Sequence, residues 1–206
     1  MLEIIDALRS SSPLLEVRAA FIELAEPDVR TALAGIPADR RAVLVPLLLA
    51  SGYHDRVDLP AAIAAARPGT AHAPVLGPDR LLAIALADRL REAGRRPGDA
   101  VVLAAAGSSD PAAIASVRTQ AGLLATELGT AVTVGFGSAA APDVPTAVST
   151  ARAGGAARVA IAPYLLAPGH FAERLADAGA DLVAEPLGPH PAIVELVLDR
   201  ASSTPD

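Results

Sequence analysis

Four histidines and no cysteine set the range of chemistry open to this chain. His54 stands in Ser51-Gly52-Tyr53-His54-Asp55-Arg56-Val57-Asp58, directly after an apolar run, and Glu23 follows a second such run. A neutral imidazole is a borderline ligand for Fe(II), Co(II), Ni(II) or Zn(II), and it titrates near neutral pH, so it can also move a proton. Glu23 could act as a second ligand or as a proton acceptor. Without cysteine there is no disulfide scaffold, thiolate zinc site, iron–sulfur cluster or cysteine nucleophile. Two spaced ligands do not make a closed metal motif, since no His-Glu-x-x-His helix is present.

The remaining candidates are weaker. His170, in Gly169-His170-Phe171, looks like a duplicate of His54 but aligns with Tyr53, while Phe171 takes the position of His54. His170 is therefore read as a loop or interface residue, and His72 and His190 as structural. Gly107-Ser108-Ser109-Asp110-Pro111 is a glycine turn ahead of a helix, but it lacks the Lys of a Walker loop and the spaced glycines of a dinucleotide site. It is read as a helix cap. Nothing in the spacing pairs its serines with a base, so a hydrolase triad has no support.

Elements of an α/β protein must position these groups. Of the 206 residues, 52% are hydrophobic, far too many for a disordered chain. Brief apolar runs at 17–22, 41–49, 71–76, Ala100–Ala105, 131–136, 158–164 and 181–185 predict seven strands. Segments 27–34, 59–67, 79–93, Pro111–Leu128, 143–153 and 170–178 open on Pro, Asp, Leu or His and, for the most part, close near Gly, as helices do. Strands joined by helices and apolar on both faces form a doubly wound parallel sheet, whose ligand crevice lies at the carboxyl ends of the strands. The His54 turn and Glu23 both fall there.

An internal repeat divides the chain. Phe21, Pro27-Asp28-Val29 and Thr31-Ala32 recur without a gap as Phe136, Pro142-Asp143-Val144 and Thr146-Ala147, at an offset of 115. Pro46, Leu48-Leu49-Ala50 and Gly52 recur as Pro163, Leu165-Leu166-Ala167 and Gly169 at 117. Two tandem units are expected, 1–95 and 96–206, joined at 94–99. The counterpart of the strand Ala100–Ala105 falls before Met1, so the first unit lacks a strand, and by its place in such folds a central one. A natural start roughly a dozen or more residues upstream is the expectation from that offset.

Net charge is −6, which argues against a nucleic-acid partner, because phosphate backbones are bound by a surplus of Lys and Arg. The apolar run 42–50 is about half the roughly 20 residues that a membrane-spanning helix needs, and Pro46 interrupts it. The N-terminus carries acidic residues where a secretory signal needs basic ones. A cytoplasmic location follows as the expectation, and oligomeric state is not legible.

The stretch from Val45-Pro46 through Gly52-Tyr53-His54 to Asp58-Leu59-Pro60 resembles a histidine motif of the sirohydrochlorin chelatases, the class that includes the cobalt chelatases of anaerobic cobalamin synthesis. Gly107-Ser108-Ser109-Asp110, Pro163-Tyr164-Leu165-Leu166-Ala167-Pro168-Gly169 and Glu185-Pro186-Leu187-Gly188 are similar to the actinobacterial two-domain members. The resemblance implies insertion of Co2+ or Fe2+, with Ni2+ a third option, into a carboxylate-rich tetrapyrrole, with the metal as substrate and no permanently bound cofactor. It also implies His54 and Glu23 as metal-handling and proton-accepting residues, and Arg56, Tyr53 and Gly52 as macrocycle contacts, with Arg18 and Arg41 as further cations. The family's opening histidine has no counterpart here, and Ala106 occupies its position in the second unit. A non-catalytic tetrapyrrole or metal carrier of the same fold is the alternative. A sugar-binding α/β protein would also have two similar halves but leaves the His54 turn unexplained.

Overall fold

The computed structural model describes residues 1–22 and 25–205. The second half contains a four-stranded parallel sheet in the order β4-β3-β5-β6, built from β3 (Ala100–Ala105), β4 (Val132–Phe136), β5 (Val159–Tyr164) and β6 (Leu182–Val183). The central strands β3 and β5 are buried almost throughout, which is why they read as continuous apolar runs. On one face lies α6 (Val144–Ala153), packed on β4, β3 and β5. On the other lie α4 (Arg80–Glu92) and α5 (Pro111–Leu128).

Helix starts follow the sequence punctuation closely. Asp28, Asp79, Asp110 and Asp143 cap α2 (Val29–Ala34), α4, α5 and α6, each accepting a backbone N–H of the first turn. Gly129, in the left-handed region at φ 64°, closes α5, where a side chain would be strained. The Thr31 and Thr146 hydroxyls, with the backbone N–H groups of the same residues, hold the carboxyl groups of Asp28 and Asp143 below the usual carboxylate range, and the Ala112 N–H, with Arg56, does so for Asp110. A depressed folded-state pKa contributes stability above the unfolded carboxylate value of about 3.9, and the contribution is lost as pH falls through the folded-state value. Asp143→Asn is therefore expected to lower the melting temperature at pH 7, and the gap from wild type should close as pH drops below about 4. Thermal scans of both proteins across that range check this, and a gap independent of pH would refute it.

The repeat is visible in three dimensions. Phe21 N–H donates to Pro27 O at 3.0 Å and Phe136 N–H to Pro142 O at 2.9 Å, and both prolines follow cis peptide bonds. Likewise Leu76 N–H donates to Leu48 O and Leu187 N–H to Leu165 O, each at 2.8 Å.

The first half departs from expectation in its sheet. Among the described residues six strands form rather than seven. Residues 17–22 contribute only an isolated bridge, Phe21 to Asp28. The run 41–49 is reduced to β1 (Val43–Leu44) and 71–76 to β2 (Ala71–His72), which pair in parallel as a two-stranded sheet. In the second half 181–185 is likewise reduced to β6, an edge strand. The physical reason lies in β3. It pairs with both β4 and β5, and without an equivalent strand the counterparts of β4 and β5 have no shared neighbour.

One apolar core serves both halves. It joins Ile4, Ile5 and Leu8 of α1 (Leu2–Ser11), Leu82, Leu86 and Leu90 of α4, Leu103 of β3, and Ile193 and Leu196 of α8 (Pro191–Ser203). Helix α4, from the first half, packs on α5, α8 and β5. Separate clusters lie under the opposite faces, around Val148 and Ile161 in the second half and around Leu33, Leu59 and Ile63 in the first. Among the described residues no helix is long and apolar enough to cross a membrane.

Candidate metal-handling site

His54 opens a π-helical turn, His54–Asp58, that runs directly into α3 (Leu59–Ala66). Leu59 N–H bonds to His54 O across the widened turn. This geometry brings the Asp58 carboxylate back onto the imidazole, with Nδ1 and Oδ2 2.6 Å apart. A carboxylate can only accept, so Nδ1 carries the proton, and in the neutral imidazole Nε2 keeps its lone pair. That arrangement orients the ring. With 46% of its side chain exposed, His54 can be reached by an ion from solvent. Asp58 was not singled out in the sequence, although the i, i+4 spacing from His54 is the signal that identifies it.

The turn is braced at its base. Ser51 Oγ donates to Asp55 Oδ2 at 2.5 Å. The other oxygen of Asp55 lies 3.3 Å from Nε2 of His72, at the end of β2, but out of line for a hydrogen bond. His72 thus stands on a strand, within the on-or-beside-a-strand reading of the sequence, and beside the His54 turn. Arg56 leaves the turn to bond Asp110 at the start of α5, linking the two halves. Tyr53 is 68% exposed at the head of the turn, and Gly52 accepts Arg56 N–H through its carbonyl oxygen.

Glu23 lies outside the described residues. Phe21 and Ile22 line a cleft of about 260 Å3 together with Asp58, Leu59 and the start of α2. The end of residues 17–22 and the foot of the His54 turn therefore face a common space. Arg18 bonds Glu16 and Gly35 O, and Arg41 bonds Thr204 O. In the second half the equivalent place is differently built. His170 is exposed at the start of α7 (His170–Arg174), and Phe171 packs against Gly137. His190 caps α8 through Nδ1, and its Nε2 lies 3.3 Å from Asp88. Among the described residues no group of three or more His, Asp or Glu side chains stands together as a metal cage.

Behind the His54 turn the halves are joined at Tyr164, whose hydroxyl donates to Leu49 O at 2.9 Å. Burial, with the Asp79 carboxylate nearby, pushes this phenol well above its ordinary pKa, so it remains a donor. Gly77 lets the strands close there. A Cβ on it would lie 2.1 Å from the Tyr164 hydroxyl and 2.3 Å from Leu49 O. Gly77→Ala is expected to lower stability by about 1–3 kcal/mol, the usual cost of overpacking. Thermal unfolding measures it, and an unchanged melting temperature would contradict the close approach.

A doubly wound α/β repeat with an oriented, solvent-reachable imidazole in the first half defines the class. Comparison with known proteins narrows it. The CbiX family model matches residues 1–93 and again 100–204. The chain belongs to the CbiX family, a family of sirohydrochlorin chelatases. Among solved structures, SirB from Bacillus subtilis with Fe3+ aligns at a TM-score of 0.84 and 24% identity, over 98% of this chain and 88% of that one. The sirohydrochlorin chelatase SirB from Bacillus subtilis subspecies spizizenii in complex with cobalt aligns at 0.77 and 23%, over 98% and 87%. CbiX, the terminal enzyme for biosynthesis of siroheme in denitrifying bacteria, aligns at 0.72 and 22%, over 98% and 90%. At these identities the structures establish the shared fold. Among curated proteins none matches the chain.

Proposed function

We propose that the protein inserts a divalent metal, Co2+ or Fe2+, into sirohydrochlorin in the cytoplasm, as a lyase-type step of cobalamin or siroheme biosynthesis. The observation that carries this reading is the His54–Asp58 pair, which leaves Nε2 as an accessible donor on a chain of this family. A single imidazole with one carboxylate, Glu23, holds a first-row ion loosely enough to release it, and metal is substrate rather than resident cofactor. Each insertion displaces two pyrrolic protons, for which the imidazole and, from its place in the sequence, Glu23 are the proposed acceptors. The cleft beside Asp58, at about 260 Å3, is below the size of pockets that enclose drug-sized ligands, so the macrocycle lies across the open face. There Tyr53 and Gly52 supply contact, and Arg56, whose guanidinium is paired with Asp110 but remains half exposed, offers its other N–H groups to the carboxylate rim. The two units are taken as 1–95, which carries the site, and 96–206, which supports it.

The test is the absorbance change of sirohydrochlorin on addition of Co2+ or Fe2+ with this chain present. Turnover above the uncatalysed rate is expected. Stoichiometric binding of metal and macrocycle without turnover would favour the carrier reading, for which the position of Ala106 and the two-stranded first sheet speak.

A further inference from the structure

Beside the His54 turn stands a second pair of metal-ligand types that the chemistry above leaves idle. His72 ends β2, and Asp55 sits in the turn one residue after His54. Nε2 of His72 is buried and has no hydrogen-bond partner, although Asp55 Oδ1 lies only 3.3 Å away. Buried imidazole nitrogens ordinarily donate or accept a hydrogen bond, so an unmatched one calls for another partner. The two side chains are 25% and 15% exposed, more enclosed than that of His54.

The separation fits ligation better than a hydrogen bond. First-row ions bind imidazole nitrogen and carboxylate oxygen at about 2.1 Å, which sets two ligand atoms about 3.0 Å apart at right angles and about 3.4 Å apart at tetrahedral angles. The observed 3.3 Å lies inside that range, while the atoms are out of line for an N–H donor. The carboxylate is also held as a ligand's is. Ser51 Oγ donates to Oδ2 at 2.5 Å, which fixes the group and leaves Oδ1 beside the imidazole.

The fold does not require this cluster. The matched bonds of Leu76 to Leu48 and of Leu187 to Leu165 carry β2 onto β6, so His72 corresponds to Val183. Leu44 pairs with His72 as Ile161 pairs with Val183. Ser51 and Asp55 correspond to Pro168 and Ala172, at the offset of 117 that relates Gly52 to Gly169. The second half thus builds the same corner with no ligand at any of the three positions.

We propose that His72 Nε2 and Asp55 Oδ1 form a binding site for one divalent first-row ion, with water completing its coordination, separate from the ligand position of His54. In a part of the inference that rests on the function proposed above, the ion held there is substrate metal waiting beside the imidazole that handles it.

Zn2+ is the probe for the test, being diamagnetic and taken by the same ligands. The full chain has four histidines, so imidazole NMR can follow each one through a titration. The His72 Nε2 resonance is expected to take a coordination shift, and to keep it in a His54→Ala protein. Asp55→Asn, which retains the shape of the carboxylate without its charge, is expected to weaken Zn2+ binding at His72 at least about tenfold. His170, whose side chain is 87% exposed, reports adventitious surface binding. A His72 resonance that never shifts, or that shifts only in step with His170, would overturn the proposal. Loss of the shift in His54→Ala would overturn it by placing both imidazoles on one ion, and indifference to Asp55→Asn would overturn it too. Failure of the sirohydrochlorin absorbance assay with the His72 shift intact would instead overturn the proposed function and leave the ion site standing.

Discussion

Replacing His54 with alanine is expected to reduce metal insertion into sirohydrochlorin at least about 100-fold while leaving the melting temperature within error. The magnitude follows from the ligand hierarchy: loss of an outer partner alone typically costs 10–100-fold, so loss of the ligand itself costs no less. Stability is spared because the imidazole is half-exposed and its one close bond is to Asp58, itself at the surface. Asp58→Asn supplies the finer test. It keeps the shape of the turn but loses the anionic acceptor on Nδ1, and a fall of about 10–100-fold is expected. Insertion assays on the three proteins with Co2+ separate the outcomes. A His54→Ala protein that works at the wild-type rate would remove His54 from the chemistry, whatever the status of the family assignment.

Leu86→Ala is expected to lower stability by about 3 kcal/mol, within the 2–5 kcal/mol typical of buried leucine truncations. For a chain of this size that corresponds to a fall of roughly 6–12 °C in melting temperature. Leu86 is 1% exposed and lies on α4, which comes from the first half but packs on α5, α8 and β5. The cavity therefore opens in a core common to both halves. Calorimetry should show one transition moving as a whole. Two transitions, with only one displaced, would mean that the halves unfold independently despite the shared core.

Much of the architecture was legible because its determinants are local. The helices were bracketed by Asp caps and by Gly, and the structure finds α5 at the predicted bounds and α2, α4 and α6 within two residues of theirs. The repeat was legible because Phe21 with Pro27-Asp28 and Phe136 with Pro142-Asp143 build the same hydrogen-bonded corner. Strand extent was not legible in the first half. An apolar run records that a segment is suited to a sheet, whereas a strand exists only when a neighbour completes its ladder. Residues 17–22 have the composition of β4 without its partner β3.

The same division holds at the site. His54 stood out by residue type and position after a strand, and Asp58 could have been found by its helical spacing. The contacts of Asp55 with His72 and of Arg56 with Asp110 join different elements, and no local pattern announces them.

Residue types and their spacing by themselves determined a cysteine-free, doubly wound α/β repeat with an imidazole on one crevice, since periodicity, capping and repetition are written along the chain. Only the tertiary structure decided which tautomer the His54 turn favours, that Arg56 bridges the halves, and that the first sheet stops at two strands. Those outcomes depend on which groups meet in space, and hydrogen bonds between distant segments are settled by packing rather than by neighbours in sequence.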